Sequence, residues 1–275
     1  MFTLNCKGRL LTITSPIVMG IININNDSFY KGSRHLQEKD ILSAAEKMLN
    51  DGAVILDIGG QSTRPGSPQV PADDELERVV PAIASVHRHF PQAFISVDTY
   101  YGNVAKAAVE AGADIINDIS AGTMDEDLID TVAALRVPYV LMHMKGMQTS
   151  MQQNPEYEDV TREVLDFMVQ KKALLQSKGI NDIIIDPGYG FGKTIQHNFT
   201  LLKNQSVFKM LDCPILTGIS RKSTIYKTLG TDAENALNGT TVLNTIGLLN
   251  GAGILRVHDV KEAVEAINLV QAYMT

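Results

Sequence analysis

Short apolar runs, each closed by a polar residue and followed by a longer amphipathic stretch, recur along the chain. Residues 16–22 run into Asn23, 53–56 into Asp57, 94–97 into Asp98 and 115–116 into Asn117. Further on, 138–142 reach His143, 183–185 reach Asp186, 214–217 lead through Gly218 to Lys222, and 254–255 lead to Arg256 and His258. Runs this short and this uniformly apolar predict strands buried on both faces of a parallel sheet. The intervening stretches 38–50, 73–89, 102–111, 125–135, 156–178 and a last one ending at Tyr273 have apolar residues at helical spacing. Asp51-Gly52 supplies a stop for the first of them, and Asp73-Asp74-Glu75 an acidic first turn for the second. Residues 2–13 alternate differently and predict a short hairpin turning near Lys7-Gly8, while 25–37 read as a polar loop.

Weak internal echoes support one repeating unit: DGAVILDIG (51–59), EAGADIINDIS (110–120) and GAGILRVHDV (251–260) each join a helix end to an apolar strand. Eight strand–helix units in this length predict an α/β fold, a (β/α)8 TIM barrel with a short N-terminal β-hairpin, in one domain over residues 1–275. An open dinucleotide-binding sheet is set aside because the first strand lacks its glycine fingerprint.

The barrel changes the meaning of the polar strand ends. Carboxyl ends of barrel strands converge on one mouth, so Asn23, Asp57, Asp98, Asn117, His143, Asp186, Lys222, Arg256 and His258 are expected there together. Acids accept from ring N–H and amino groups and amides do both, a set suited to a flat polar heterocycle. Arg64, Lys222, Arg256 and His258 form a cationic group suited to a multiply charged oxyanion. The stretch IIIDPGYGFGK (183–193) comes close to two nucleotide motifs and satisfies neither. A P-loop needs glycine where Pro187 stands, and a dinucleotide turn needs it where Lys193 stands. Lys193 is therefore read as loop support and Asp186 as the informative residue. Gly218-Ile219-Ser220 similarly fails as a nucleophile elbow, since Lys222 replaces the closing glycine.

A net charge of −7 without a basic run argues against nucleic acid as a partner, although Arg221-Lys222 could hold a small anion. Two cysteines, Cys6 and Cys213, lie far apart without a histidine at metal-ligand spacing, which favours a reduced intracellular protein. No apolar run approaches the roughly 20 residues a membrane helix needs, and the N-terminus lacks a secretory pattern, so a cytoplasmic protein with no membrane partner is expected. His87 and His89 should be solvated, His143 should support the core, and Asp57 should bond loop amides behind the site.

These residues also carry a family resemblance over nearly the whole chain. MGIININNDSF (19–29), GAVILDIGGQSTRPG (52–66), SVDTY (96–100), IINDIS (115–120), LMHMKG (141–146), DPGYGFGK (186–193), GISRKS (218–223) and RVHDV (256–260) resemble, in order, the signatures of the dihydropteroate synthases. The resemblance implies a pterin-binding (β/α)8 barrel, a transferase of folate synthesis. It implies condensation of 6-hydroxymethyl-7,8-dihydropterin pyrophosphate with p-aminobenzoate to give 7,8-dihydropteroate and pyrophosphate, with Mg²⁺. Position by position, Asp98, Asn117, Asp186 and Lys222 would hold the pterin, and Asn23, Arg256 and His258 the pyrophosphate, with Asn23 also a Mg²⁺ ligand. Phe29, Thr63, Arg64, Pro65, Phe191 and Ser223 would shape the p-aminobenzoate side. The chemistry would rest on Asp98, Asp186, Lys222, Arg256 and His258, and the family suggests a homodimer formed through the later helices.

One loop departs from the family pattern Asn-x-Thr-Pro-Asp-Ser-Phe: here it reads Asn23-Ile24-Asn25-Asn26-Asp27-Ser28-Phe29. The change bears on p-aminobenzoate and sulfonamide affinity more than on the pterin pocket. Two other readings compete. A pterin-dependent methyltransferase would keep the pterin acids but has no use for the pyrophosphate cluster, and a non-catalytic pterin-binding paralogue is favoured only by the altered loop.

Overall fold

The N-terminal hairpin pairs β1 (Phe2–Cys6) with β2 (Arg9–Ile13) antiparallel. Lys7 and Gly8 turn it with φ of 54° and 90°, the positive values that a two-residue hairpin turn demands. The eight apolar runs then appear as β3 (Ile17–Asn23), β4 (Ile55–Gly59), β5 (Phe94–Asp98), β6 (Ile115–Asp118), β7 (Tyr139–Met142), β8 (Ile183–Asp186), β9 (Leu216–Thr217) and β10 (Ile254–Val257). They form one parallel sheet in the order β8-β7-β6-β5-β4-β3-β10-β9. A parallel bridge between Ile185 and Ile215 joins its two edges and closes the barrel. The computed structural model describes residues 1–24, 34–61, 69–146, 151 and 155–275.

Strand periodicity explains the barrel's two ends. Successive side chains alternate between faces, so residues two apart share one. Ile55, Ile115, Ile184 and Ile254 pack inside the barrel with Met19, Val140 and Leu216, against Leu4, Cys6, Leu11 and Ile13 of the hairpin. The hairpin thus plugs the amino end, held by Arg9, which donates to the Ala93 carbonyl and to Asp114 at 2.9 Å each. Two residues further along the same strands come Asp57, Asn117, Asp186 and Arg256, at the opposite end. The intervening Leu56, Ile116, Ile185 and Leu255 belong to the larger core between sheet and helices.

Around the barrel lie α1 (Arg34–Asn50), α2 (Ala72–His89), α3 (Gly102–Ala111), α4 (Leu128–Leu135), α5 (Val160–Ser177), α6 (Ile195–Lys203), a 3-10 turn (Gln205–Leu211), α7 (Ser223–Leu229), α8 (Leu237–Leu249) and α9 (Val260–Met274). Two helices start later than their apolar spacing suggests. Asp159 accepts from the amides of Thr161 and Arg162 at 2.9 and 3.1 Å and so starts α5 at Val160. Asp125 spends its carboxylate on the amides of Gly102 and Asp127 instead of joining α4. The first helix, by contrast, begins at Arg34, within the stretch read as loop. The rest of that stretch, residues 25–33, lies outside the described residues.

Candidate active site

The register levels the polar strand ends. Asn23 stands beside Gly59, Gly59 beside Asp98, and Asp98 beside Asn117, while Asp186 pairs with Met142. Gly59 fits because an added Cβ would come within 3.3 Å of Asp98 Cβ. Asp98, Asn117 and Asp186 are buried, Arg256 and Lys222 are partly so, and Asn23 and His258 are exposed at the rim.

Arg256 organises one side of this mouth. Its Nε donates to Asp57 Oδ2 at 2.7 Å and its Nη2 to Asp98 Oδ2 at 2.5 Å, and Asn117 Nδ2 donates to the same Asp57 oxygen at 3.1 Å. Asp57 therefore binds the guanidinium and an amide side chain, not the loop amides expected from sequence. Its Oδ1 is buried with no hydrogen-bond partner among the described residues. Burial pushes the Asp98 carboxyl above the usual range; the guanidinium opposes that and nearby Asp57 adds to it.

Asp186 organises the other side. Its Oδ1 accepts from the Gly188 amide at 2.7 Å, and a Cβ on Gly218 would meet its Oδ2 at 3.7 Å and Arg256 Cβ at 3.9 Å, so the two sides adjoin. Burial raises its pKa, while Lys222 and then the Gly188 amide pull it down. Lys222 donates to the Tyr189 carbonyl at 2.6 Å and sits 4.6 Å above the Phe191 ring. Burial brings its ammonium down to about 8, against the attraction of Asp186.

The turn after β8 presses on the backbone after β7. Added Cβ atoms on Gly188 and Gly192 would stand 1.9 Å from the His143 carbonyl and 2.1 Å from that of Lys145, and both glycines have positive φ. Phe191 is thereby delivered to an apolar cluster with Tyr100, Ile119, Met142 and Met151. The Lys193 ammonium is buried behind this turn, 2.8 Å from the Gly188 carbonyl and 2.9 Å from His143 Nδ1. Burial lowers both groups, Lys193 to about 7 and His143 to about 2, so His143 is neutral and accepts through Nδ1. His143 and Lys193 thus have the supporting roles read from sequence, and His87 and His89 are exposed.

Arg221 does not join Lys222 in a free cationic pair. Its Nε and Nη2 grip both oxygens of Asp259 at 2.8 Å, bolting the end of β9 to that of β10. Ser220 Oγ lies 3.1 Å from His258 Nδ1 and orients that ring. Ser223 opens α7, half-buried. Phe29, Thr63, Arg64 and Pro65, with the altered 25–26 positions, lie outside the described residues.

Ser220, read in the sequence only as a failed nucleophile elbow, orients His258 instead, and Glu75, read only as part of an acidic first turn, is buried with Gln61 and Tyr100. Gln61 donates to Glu75 and accepts from Tyr100 Oη at 2.8 Å and from the Val70 amide at 3.3 Å. A signal existed for Glu75, an acid on the helix face that carries Val79, Ala82 and Ile83 into the core.

A fold and a mouth of this kind can be compared with known proteins. Residues 19–258 match the model of the pterin binding enzymes. The dihydropteroate synthase of Escherichia coli K12 is 39% identical over 271 residues, covering 98% of this chain and 95% of that one. The chain belongs to the dihydropteroate synthase family. Two solved structures from Xanthomonas albilineans place this membership in three dimensions. The dihydropteroate synthase with 4-aminobenzoic acid superposes with a TM-score of 0.91 at 39% identity, covering 99% of this chain and 98% of that one. The one in complex with 7,8-dihydropteroate gives 0.88 at 37% identity, covering 99% of both chains. As a member of the dihydropteroate synthases, the chain is a pterin-binding transferase with a TIM-barrel fold. Among the described residues no helix is long and apolar enough to cross a membrane.

Proposed function

We propose that this chain joins 6-hydroxymethyl-7,8-dihydropterin pyrophosphate to p-aminobenzoate, with Asp98, Asn117, Asp186 and Lys222 holding the pterin. The observation that carries the reading is the pairing of two buried acids, Asp98 and Asp186, with an amide and an ammonium at one barrel mouth. Asp186 has Oδ2 available beside the small Gly218, where it can accept from the pterin's amino and ring N–H groups. Arg256 and His258 meet the pyrophosphate at the amino end of α9, where helix amides favour an anion. Phe191 and Ser223, with Phe29, Thr63, Arg64 and Pro65, form the p-aminobenzoate side.

The bond that breaks joins the pterin methylene carbon to a pyrophosphate oxygen, which leaves with the electron pair. The electron-rich pterin supports the cationic methylene, and the negative charge of the Asp98–Asp57–Asp186 group favours that cation electrostatically. The aniline nitrogen then bonds to the carbon and loses its proton to solvent. Little proton transfer is asked of the protein, so positioning of the amine counts heavily.

Asn23 suits Mg²⁺: a single neutral oxygen donor, exposed at the end of β3, fits an ion that keeps waters and takes phosphate oxygens from its substrate. When bound, Mg²⁺ supplies charge neutralisation on the leaving group.

The chain works as one pterin-binding domain over residues 1–275, in the cytoplasm, where its two free, buried cysteines remain reduced. It pairs as a homodimer through α8 and α9. Support comes from an open groove of about 940 Å³ between these helices, whose lining joins apolar Leu237, Leu249, Leu269 and Tyr273 to the acids Glu262 and Glu265, and from exposed Val242 and Ile246 beside it. Mass spectrometry of the product tests the reaction. Dihydropteroate should form only when both substrates are present; its absence from active-site-competent, pterin-binding protein would overturn the reading.

A further inference from the structure

Lys193 ends the glycine turn that carries Phe191, and its whole side chain is 2% exposed. Its Nζ reaches the carbonyls of Gly188 at 2.8 Å, Phe191 at 3.1 Å and His143 at 3.3 Å, and His143 Nδ1 at 2.9 Å. One ammonium therefore gathers the first residue of the turn, its tip and the end of β7. Two of those partners bear directly on the mouth. The Gly188 amide fixes Asp186 Oδ1, and its carbonyl also accepts the Phe191 amide at 3.2 Å.

An ammonium in this place is costly, because burial removes its water. A turn with three positive-φ glycines would otherwise have broad backbone freedom. Carbonyl oxygens are what such a turn presents inward, and a cation with three donors satisfies several at once, which no apolar side chain of equal length can do. Lys222 meets the ring of Phe191, its ammonium 4.6 Å from the ring centroid. Phe191 is thus held by one lysine through its backbone and faced by another at its ring.

We propose that Lys193 is a positioning residue for the arylamine substrate, acting through Phe191 by fixing the 188–192 turn. This deepens the synthase reading and rests on its assignment of Phe191 to the p-aminobenzoate side. Lys193 contacts neither substrate; it sets where the aromatic face stands.

The test is a double-mutant cycle with Lys193→Met and Phe191→Ala, read as KM for p-aminobenzoate and kcat. Lys193→Met alone should raise that KM by about tenfold, the loss expected when a charge-assisted bond is removed. In the Phe191→Ala background the same change should raise it little, because the group through which it acts is gone. Additive effects on KM would overturn the proposal, even with a normal synthase rate in the unmutated protein. An unmutated protein that turns nothing over would overturn the synthase reading itself, and this proposal with it. Amide exchange at Phe191 gives a readout independent of turnover: it should quicken in Lys193→Met, and unchanged protection would contradict the mechanism. Lys193→Gln, which keeps a shorter donor, serves if the methionine variant does not fold, and should show the same KM effect in smaller degree; an unchanged KM there would also overturn it.

Discussion

Asp186 is oriented before any ligand arrives, since one oxygen is fixed by the Gly188 amide and the other faces the space beside Gly218. Asp186→Asn should therefore weaken pterin binding by about 1.5–3 kcal/mol, the value of a charged hydrogen bond, as calorimetry would read it; an unchanged affinity would refute its placement. Arg256 has a second duty beyond the anion read from sequence, as counter-charge for Asp57 and Asp98. Arg256→Ala should cost about 3–5 kcal/mol of stability by leaving two buried acids unpaired, and adding Asp57→Asn should restore part of it in thermal melts. No recovery would mean the pairing is not what the guanidinium stabilises. The strand-end positions of Asp98, Asn117, Asp186 and Arg256 were legible because each follows a short, uniformly apolar run and parallel topology brings such ends to one mouth. The Asp57–Arg256 bond was not, because it joins residues 199 apart through a side chain whose direction no local pattern encodes.

At the scale of elements, caps decide what periodicity leaves open. Apolar spacing alone extends the fifth helix back towards Glu156, whereas the Asp159 carboxylate starts it at Val160. Asp159→Ala should lower stability by about 1 kcal/mol, measured by denaturant unfolding. Helices α6, α7 and α8 went unread in the sequence: α6 and α7 have only 9 and 7 residues beside loop stretches, and α8 shows little separation of apolar and polar faces. The turn behind Phe191 has its own signature in pH. Burial lowers the folded-state pKa of Lys193 to about 7 from an ordinary 10.5. Between those values the unfolded chain binds the extra proton, so stability gains as pH rises through this window, and below it the full cost of the buried charge remains. The stability of the unmutated protein relative to Lys193→Met should therefore climb from pH 7 towards 10; a flat difference would show that the ammonium is not strained by burial.

For the whole molecule, the barrel places a hairpin plug at one end and its polar mouth at the other, and leaves apolar side chains of α8 and α9, among them Val242, Leu249, Leu269 and Tyr273, exposed. If the proposed homodimer forms through these helices, Leu269→Glu, at a residue 73% exposed, should shift sedimentation towards monomer while pterin affinity stays within about twofold, since a charge on this outer helix lies away from the mouth. Retention of the dimer would move the interface elsewhere. The fold and the family were legible because strand ends recur in order along the whole chain; the exposed apolar side chains of α8 and α9 were not, because an exposed leucine in sequence looks like any other. The central claim is that this mouth performs the condensation, and pyrophosphate release tests it most directly. With Mg²⁺ and both substrates, steady release is predicted, falling away when p-aminobenzoate is omitted and sharply reduced in Asp186→Asn. Tight pterin binding without any pyrophosphate release would contradict the account.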